Sequence, residues 1–185
     1  SANGRRSLPW GDHPYQRFLD DPDWDSPAFL ERYAGLFQSN YIAELLCRLA
    51  FVEPVVDRID LPWQEPEFTV PDLLIHCTTT RPAKIWPFER WQVVLDWCHS
   101  QGLSVGLVGS PPHRQQLEYH AGGGEEALLA QGCLQDLRGR TSLIQLAGAC
   151  RRARAVISVD AGPLHIAAAM GVPTLAVVGN DAQSV

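Results

Sequence analysis

A short polar turn lies between an apolar run and a helical segment near the end of this sequence. Asp160, Ala161 and Gly162 follow the apolar, partly β-branched stretch 155–159, and His165 comes three residues after Gly162. Free backbone N–H groups in a first helical turn attract an anion such as a diphosphate, and a glycine places no Cβ between the ligand and the backbone. His165 could donate to a phosphate or sugar oxygen. The turn is therefore a candidate anion-binding site.

Asp160 and His165 each allow two interpretations. A carboxylate repels phosphate, so Asp160 either caps the helix that follows or accepts hydrogen bonds from hydroxyl groups of a ligand. His165 either contacts a ligand or only packs against the fold. A single short turn is a weak motif, and the residues alone leave both pairs of alternatives open.

A second group of polar residues follows the apolar run 73–77. Thr78 and Thr79 supply hydroxyl groups, their loop supplies backbone N–H groups, and Lys84 supplies a mobile positive charge. These groups are suited to holding a diphosphate. Thr78 and Thr79 either bind phosphate directly or merely close the turn, whereas we expect Arg81 to be solvated.

The remaining candidates in the chain are expected to be structural. His76, inside the strand, should pack against the sheet, and Trp86 should be a core residue that anchors the loop. Cys77 lies beside the candidate site without a positioned base, so we assign it no nucleophilic role. The three arginines in 151–154 end a helix, where they complement the helix dipole and should remain solvated.

Strand and helix patterns alternate from Asp72 onward, which indicates a parallel sheet with helices on both faces. Ligands of such open sheets bind at the carboxyl ends of the strands. The loop with Lys84 and the turn at Asp160 should therefore face one crevice. The predicted strands are 73–77, 104–108, 133–137, 155–159 and 174–178; the predicted helices are 87–102, 115–121, 125–131, 143–150 and 162–171.

The first part of the chain shows no such alternation. Pro27 begins a helical pattern, with an apolar stripe that runs on to residue 37, and Ser39 or Asn40 can cap a second helix. The stretch 55–61 lies among prolines and is typical of a linker or an edge strand. The sequence thus predicts an irregular and helical lead-in at residues 1–70 and an α/β domain with a Rossmann-like parallel sheet at residues 71–185.

Composition narrows the classes of function. The chain has 185 residues, of which 45% are apolar, and a formal net charge of −6, which argues against a nucleic-acid-binding surface. No apolar run approaches the ~20 residues needed to span a bilayer, and the N-terminus lacks the apolar core of a signal peptide. The five cysteines are widely spaced, without a C-x-x-C pair. We therefore expect a cytoplasmic protein with reduced thiols, no bound metal and no transmembrane segment.

Two blocks of the sequence together resemble one known family. The segment DAGPLHIAAAMGVPTLAVVGN, which begins at Asp160, is similar to the D-[TS]-G-x-x-H-x-A-A-x-x-x-x-P-T-x-x-x-x-G-P-T stretch of the ADP-heptose:lipopolysaccharide heptosyltransferases, glycosyltransferase family nine. His76 to Thr80 and Lys84 to Pro87 resemble that family's H-x-T-T and K-x-W-P motifs. The resemblance covers roughly residues 70–181.

This resemblance implies the C-terminal, donor-binding half of a GT-B glycosyltransferase, which binds an ADP-sugar. It implies inverting transfer to a glycan or lipid-linked acceptor, with possible peripheral association with a membrane and without a cofactor. The general base is expected in an N-terminal domain that the lead-in does not resemble, and the final helical segment of the family is also expected to be missing. The implied donor-binding residues are Thr78, Thr79, Lys84, Asp160, Ala161, Gly162 and His165.

The sequence departs from the family pattern at two places. Ala161 stands where the family has Thr or Ser, which removes a hydroxyl group, and Asn180-Asp181 stands where it has Pro-Thr. These departures keep two alternatives open: another GT-B nucleotide-sugar enzyme, such as an epimerase or a transferase with a different donor, and a non-catalytic nucleotide-binding module. We expect this chain alone not to transfer sugar.

Overall fold

A computed structural model describes residues 21–23, 26–36, 42–50, 52, 59–118 and 124–179. The chain divides into two compact units, Ser1–Ile59 and Asp60–Val185. The predicted caps Ser39 and Asn40 lie outside the described residues, as does most of the predicted linker 55–61. In the part of the chain that the structure describes, no helix is both long and apolar enough to cross a membrane.

The described residues of the first unit form two short helices and a 3-10 turn. Helix α1, Pro27–Arg32, has a proline in its first turn, and the hydroxyl of Ser26 accepts a hydrogen bond from the backbone N–H of Phe29 at 3.2 Å. The predicted stripe to residue 37 is wrong as a continuous helix. Tyr33 leaves helical geometry with φ −114° and ψ 14°, and the chain continues as a 3-10 turn over Ala34–Leu36. Helix α2 is Ile42–Leu49.

The second unit is the predicted α/β fold. Five parallel strands form one sheet in the order β3-β2-β1-β4-β5. All five predicted strands are present, shorter by up to two residues where backbone pairing stops. The strands are β1 Leu73–His76, β2 Val105–Leu107, β3 Leu134–Asp136, β4 Ala155–Val159 and β5 Thr174–Val177.

Helices cover both faces of this sheet. Helix α6 begins at a capping box in which Ser142 and Gln145 satisfy each other's backbone N–H groups. The prediction for α4 was about three residues late, since Pro112 suits a first helical turn and starts it. The helices are α3 Phe88–Ser100, α4 Pro112–Glu118, α5 Gly124–Leu129, α6 Leu143–Arg152 and α7 Gly162–Ala169.

The two faces of the sheet carry separate apolar cores, because side chains of a strand alternate between faces. Ile75 and Leu73 pack with Trp91 and Leu95 of α3 on one face, whereas Leu74 packs with residues of α6 and α7 on the other. The ring of Trp86 packs edge-to-face against that of Trp91, with ring centroids 5.2 Å apart. Trp86 therefore anchors its loop to the core, as predicted. The loops at the carboxyl ends of the strands thus start from a rigid base.

The predicted arginine cluster lies away from those carboxyl ends. Arg152 forms an ion pair with Glu65, and Arg151 lies over the ring of Trp63 at 5.0 Å. Both arginines remain exposed, in agreement with the prediction. They also hold the segment 63–65, which precedes the sheet, against α6. The backbone N–H of Gln64 donates to the carbonyl of Ile144 at 2.9 Å in the same contact.

Gly148 permits this close contact, and its replacement gives the first test of the fold. A Cβ at position 148 would lie 1.9 Å from the carbonyl oxygen of Gln64, so the backbone would have to move. We expect Gly148→Ala to lower the free energy of unfolding by about 1–3 kcal/mol in urea titrations. Gly35→Ala is the control, since a Cβ there meets nothing within 4 Å. Equal stability of Gly148→Ala and the wild type would contradict the packing.

Candidate functional site

A cavity of about 730 Å³ opens at the carboxyl ends of the strands. Loops that follow β1, β2, β3 and β4 form its walls, as the general rule for open parallel sheets requires. Six of the seven predicted donor-site residues line this cavity. They are Thr79, Lys84, Asp160, Ala161, Gly162 and His165.

Lys84 and Asp160 meet across two neighbouring strands. The Nζ of Lys84, in the loop after β1, lies 2.5 Å from Oδ2 of Asp160, which directly follows β4. The pairing of Ile75 with Ile157 sets the register that brings the two loops together. Both side chains are partly buried, with 21% and 31% of their surface exposed. The prediction that these residues face one crevice is confirmed.

Electrostatics at Asp160 favour its charged form. The hydrogen bond from Lys84 is the main reason that the pKa of Asp160 lies below its ordinary value, and the charges of Lys84 and His165 act in the same direction. Lys84 is the only lysine in the 185-residue sequence. Asp160 is therefore an ionised partner for Lys84 at neutral pH.

The structural alternatives for Asp160 and His165 are both wrong. Ala161, not Asp160, occupies the N-cap position of α7, and no side chain caps that helix. The side chain of His165 is 74% exposed and does not pack, and its Nε2 lies 3.6 Å from Oδ1 of Asp160. Asp160 points toward Lys84 instead of the helix amides because the ammonium group offers a stronger, charge-assisted hydrogen bond.

The first turn of α7 forms one wall of the cavity. Ala161, Gly162 and Pro163 line it, and a Cβ added at Gly162 would meet nothing within 4 Å. Any side chain at position 162 would consequently extend into open space beside the cavity. Without a side-chain cap, the positive end of this helix is available to an anion.

The two predicted threonines occupy different positions. Thr79 lines the cavity, and its Oγ1 accepts a hydrogen bond from the backbone N–H of Arg81 at 3.5 Å, so it both closes the turn and faces the cavity. Thr78 is fully buried beneath the loop, where its Oγ1 accepts a hydrogen bond from Nε2 of Gln115 at 3.4 Å. The structure thus does not bring the side chain of Thr78 to the cavity surface.

His76 and Cys77 are buried at the base of the loop. Nδ1 of His76 lies 2.9 Å from the carbonyl oxygen of Val108 and donates to it, and burial lowers the pKa of the ring. His76 therefore packs within the sheet as predicted, and its side chain also borders the cavity. Burial raises the pKa of the Cys77 thiol well above its ordinary value, which fits the expectation that this residue is not a nucleophile.

Sequence reasoning missed the opposite wall of the cavity. Ser110, Pro111 and Arg114 follow β2, and Thr141 and Ser142 follow β3. The strand-end rule could have found them, because all parallel strands present their carboxyl ends at the same edge.

The charge of the cavity favours an anionic ligand. Lys84, Arg81, Arg114 and His165 line it, and Asp160 is the only carboxylate among the described lining residues. Within the described ranges, no group of three or more His, Cys, Asp or Glu side chains is placed to hold a metal ion.

Comparisons with known proteins agree on one family. Residues 21–184 match the sequence profile of Glycosyltransferase family 9 (heptosyltransferase). Lipopolysaccharide heptosyltransferase 1 of Pseudomonas aeruginosa is 34% identical over 125 residues, which are 67% of this chain and 32% of that protein. Lipopolysaccharide heptosyltransferase 1 of Salmonella typhimurium is 26% identical over 134 residues, 65% of this chain and 40% of that protein. The chain thus spans about a third to two fifths of the length of these curated relatives.

Solved structures share the fold. The structure of the Escherichia coli heptosyltransferase WaaC with ADP-2-deoxy-2-fluoro heptose superposes with a TM-score of 0.50 at 22% sequence identity. The match covers 76% of this chain and 45% of that one. At this level of identity the similarity shows the α/β architecture.

The ion pair should make the difference in stability between the wild type and Asp160→Asn depend on pH. We expect Asp160→Asn to lower the free energy of unfolding by about 0.5–1 kcal/mol at pH 7, because Lys84 loses its charged partner. The pKa of Asp160 is lowered in the folded state. Its contribution is therefore present above the unfolded-state pKa near 4 and is lost as the pH falls through the lower folded-state value.

Urea unfolding of the wild type and Asp160→Asn at pH 7 and pH 3 measures this difference, which should narrow at pH 3. Asp96→Asn is the control, because Asp96 is an exposed carboxylate of α3 that accepts a hydrogen bond from the uncharged amide of Gln92. A difference of the same size at both pH values would contradict the ion pair.

Proposed function

Because the chain belongs to glycosyltransferase family 9, we propose that its cavity binds the diphosphate of an ADP-heptose-like nucleotide sugar and that the whole protein is an inverting glycosyltransferase. The observation that carries the proposal is the meeting of Lys84 and Asp160 beside the uncapped first turn of α7. The acceptor would be a glycan of the lipopolysaccharide type, by analogy with the relatives.

The diphosphate would lie between Lys84 and the N-terminus of α7. An ammonium group has three donors, so Lys84 can keep Asp160 on one of them and offer the others to phosphate oxygens. Backbone N–H groups at Ala161 and Gly162 and the hydroxyl of Thr79 would complete the contacts. These groups stabilise negative charge that develops on the diphosphate as it leaves the sugar, without a metal ion or cofactor.

Asp160 would act on the sugar and not on the phosphates. Its carboxylate retains acceptor capacity beyond the contact with Lys84, and sugar hydroxyls are suitable donors. At the same time, the ion pair fixes the loop after β1 in the position that the donor needs. Asp160 is thus proposed as a positioning and sugar-binding residue.

The general base is assigned outside the described residues. In inverting transfer a base takes the proton of the acceptor hydroxyl as that oxygen attacks the anomeric carbon. Asp160 is the single carboxylate among the described residues of the cavity, and its lowered pKa makes it a weak base. This chain by itself is therefore proposed to bind the donor without transferring it.

One observation favours a second candidate function. The N-cap of α7 is Ala161, which has no hydroxyl to satisfy the first backbone N–H groups or to contact a phosphate. A nucleotide-binding module without catalysis, or a GT-B enzyme with another donor, would tolerate this loss. Thermal-shift measurements with a nucleotide panel separate the candidates, since a module would show no preference for ADP-sugars.

A location in the cytoplasm and a peripheral contact of the whole protein with a membrane belong to the same proposal. The five cysteines are all free, as expected of reduced thiols. A lipid-linked acceptor would bring the enzyme to a membrane surface without a spanning helix.

Removal of the positive charge of Lys84 tests the donor site. We expect Lys84→Ala to weaken ADP binding by about 1.5–3 kcal/mol, the size of a charge-assisted hydrogen bond, in isothermal titration calorimetry. Gly162→Val should abolish binding, because its side chain would occupy the space where the diphosphate is proposed to lie. Arg90→Ala is the control for charge, since Arg90 is an exposed cation of α3 outside the cavity. Unchanged affinity in both site variants would remove this site.

An activity assay tests the assignment of the base. The 185-residue chain, incubated with ADP-heptose and a range of glycan acceptors, should show no sugar transfer, because the described residues of the cavity position neither a base nor an acceptor. Transfer must be scored separately from hydrolysis of the donor. Transfer at roughly 1 s⁻¹ or faster would show that residues of this chain complete the site.

A further inference from the structure

A buried polar network lies next to the loops that line the cavity. Its centre is Arg138, which follows β3 and whose side chain is 3% exposed. Nε and Nη2 of Arg138 donate to the two carboxylate oxygens of Asp136 at 2.9 and 2.8 Å. Nη1 donates to Glu125 at 3.0 Å and to Glu126 at 2.9 Å. Three carboxylates thus share one guanidinium group.

These carboxylates differ in their contact with solvent. The side chains of Asp136 and Glu126 are 42% and 55% exposed, so water screens their charges. The side chain of Glu125 is 2% exposed, and its Oε1 has no hydrogen-bond partner. A buried carboxylate oxygen without a partner is costly in the ionised form. Glu125 is therefore the member of the network that is closest to taking up a proton.

The groups packed around Glu125 act on its charge in opposite directions. Arg138 attracts the negative charge of Glu125, and Glu126 on the same helix repels it. The two other neighbours carry no charge: the thiol of Cys77, which follows β1, and the amide of Gln115 in α4. Burial outweighs the favourable interactions with Arg138 and with the hydroxyl of Thr78, and it raises the pKa of Glu125 to about 7. The proton on Glu125 is consequently exchangeable near neutral pH.

Gln115 connects this network to the loop that lines the cavity. Its Oε1 accepts from Nη1 of Arg138 at 3.4 Å, and its Nε2 donates to Oγ1 of Thr78 at 3.4 Å. Thr78 is buried, and the next two residues, Thr79 and Thr80, line the cavity. The network therefore supports the loop from beneath.

We propose that Glu125, Arg138 and Gln115 form a proton-sensitive support that positions the loop 78–80, and that Glu125 takes up a proton when a nucleotide diphosphate occupies the cavity. The inference rests on the proposed function, because it needs an anion in this cavity. Negative charge on the bound ligand disfavours the ionised form of Glu125, so binding and protonation promote each other. Glu125 and Arg138 act through the loop and are positioning residues.

The sign of the pH effect follows from linkage. A bound anion raises the pKa of Glu125 above its ligand-free value of about 7. Ligand binding then takes up protons near neutral pH, and affinity falls as the pH rises through that range. ADP is an unsuitable probe, because its terminal phosphate titrates near pH 6. ADP-glucose is suitable, because both of its phosphates are esterified and remain singly charged.

Calorimetry of ADP-glucose binding in two buffers of different ionisation enthalpy measures the proton uptake of the 185-residue chain. At pH 7 the wild type should take up about 0.4 proton more than Glu125→Gln, the value for a shift of one unit from a pKa near 7. Between pH 6 and 8.5 its affinity should fall about three- to ten-fold more than that of Glu125→Gln.

Glu126→Gln is the matched control, since it removes the same charge from the neighbouring, exposed partner of Arg138. Its proton uptake should stay close to that of the wild type and well above that of Glu125→Gln, because Glu125 keeps its carboxyl group and the charge of Glu126 is the smallest of the effects on it. Gln115→Ala should weaken binding several-fold at every pH, because it removes the link between Arg138 and Thr78 while all charges remain.

Should Glu125→Gln fail to fold, carboxyl ¹³C NMR of the wild type gives the same answer. The pKa of Glu125 must rise when ADP-glucose is added. Equal proton uptake by the wild type and Glu125→Gln, or an unchanged pKa of Glu125 in the complex, would overturn this inference alone. Failure of the wild type to bind ADP-glucose at any pH would overturn the proposed function, and this inference with it.

Discussion

The site depends on the ion pair between Lys84 and Asp160. Both residues lie in loops that leave the carboxyl ends of adjacent parallel strands, and the register of β1 against β4 determines whether these loops meet. A shift of one residue in that register would reverse the faces of the side chains in β1 and remove Leu74 and Ile75 from the two clusters in which they now pack. The apolar pattern of β1 therefore fixes the geometry of the cation and carboxylate. Because this constraint comes from the core, the site can be preformed before a ligand arrives.

The same pair sets the electrostatic character of the cavity. A lysine alone beside the positive end of α7 would be an unfavourable arrangement, since like charges would repel. Asp160 offsets this repulsion in the free protein and can share Lys84 with an anionic ligand. Beneath the loop, the buried guanidinium group of Arg138 pairs with three carboxylates, of which Glu125 is buried as well. The loop 78–80 is thus held between two charged clusters.

Much of this arrangement could be predicted from the sequence. The alternation of apolar runs with Gly- and Pro-bounded helices indicated all five strands, and strand-end reasoning placed Lys84 and Asp160 in one crevice. The roles within the site were harder, because a one-dimensional pattern does not show which partner a carboxylate selects. The position of Asp160 in the sequence suits a helix cap, yet its stronger, charged partner is Lys84, which lies 76 residues earlier in the chain. The Arg138 network was missed for the same reason, since its members lie on three different elements and form no motif.

The central claim is that Lys84 contacts the diphosphate of a nucleotide sugar, and the sequence offers a direct way to measure it. Lys84 is the only lysine in the chain, so a protein labelled with ¹⁵N at lysine side chains gives one ammonium signal that belongs to it. The account predicts that saturating ADP-glucose shifts this Nζ signal strongly, whereas adenosine, which has no phosphates, leaves it almost unchanged. A Lys84 signal that stays in place when calorimetry shows ADP-glucose to be fully bound would contradict the account.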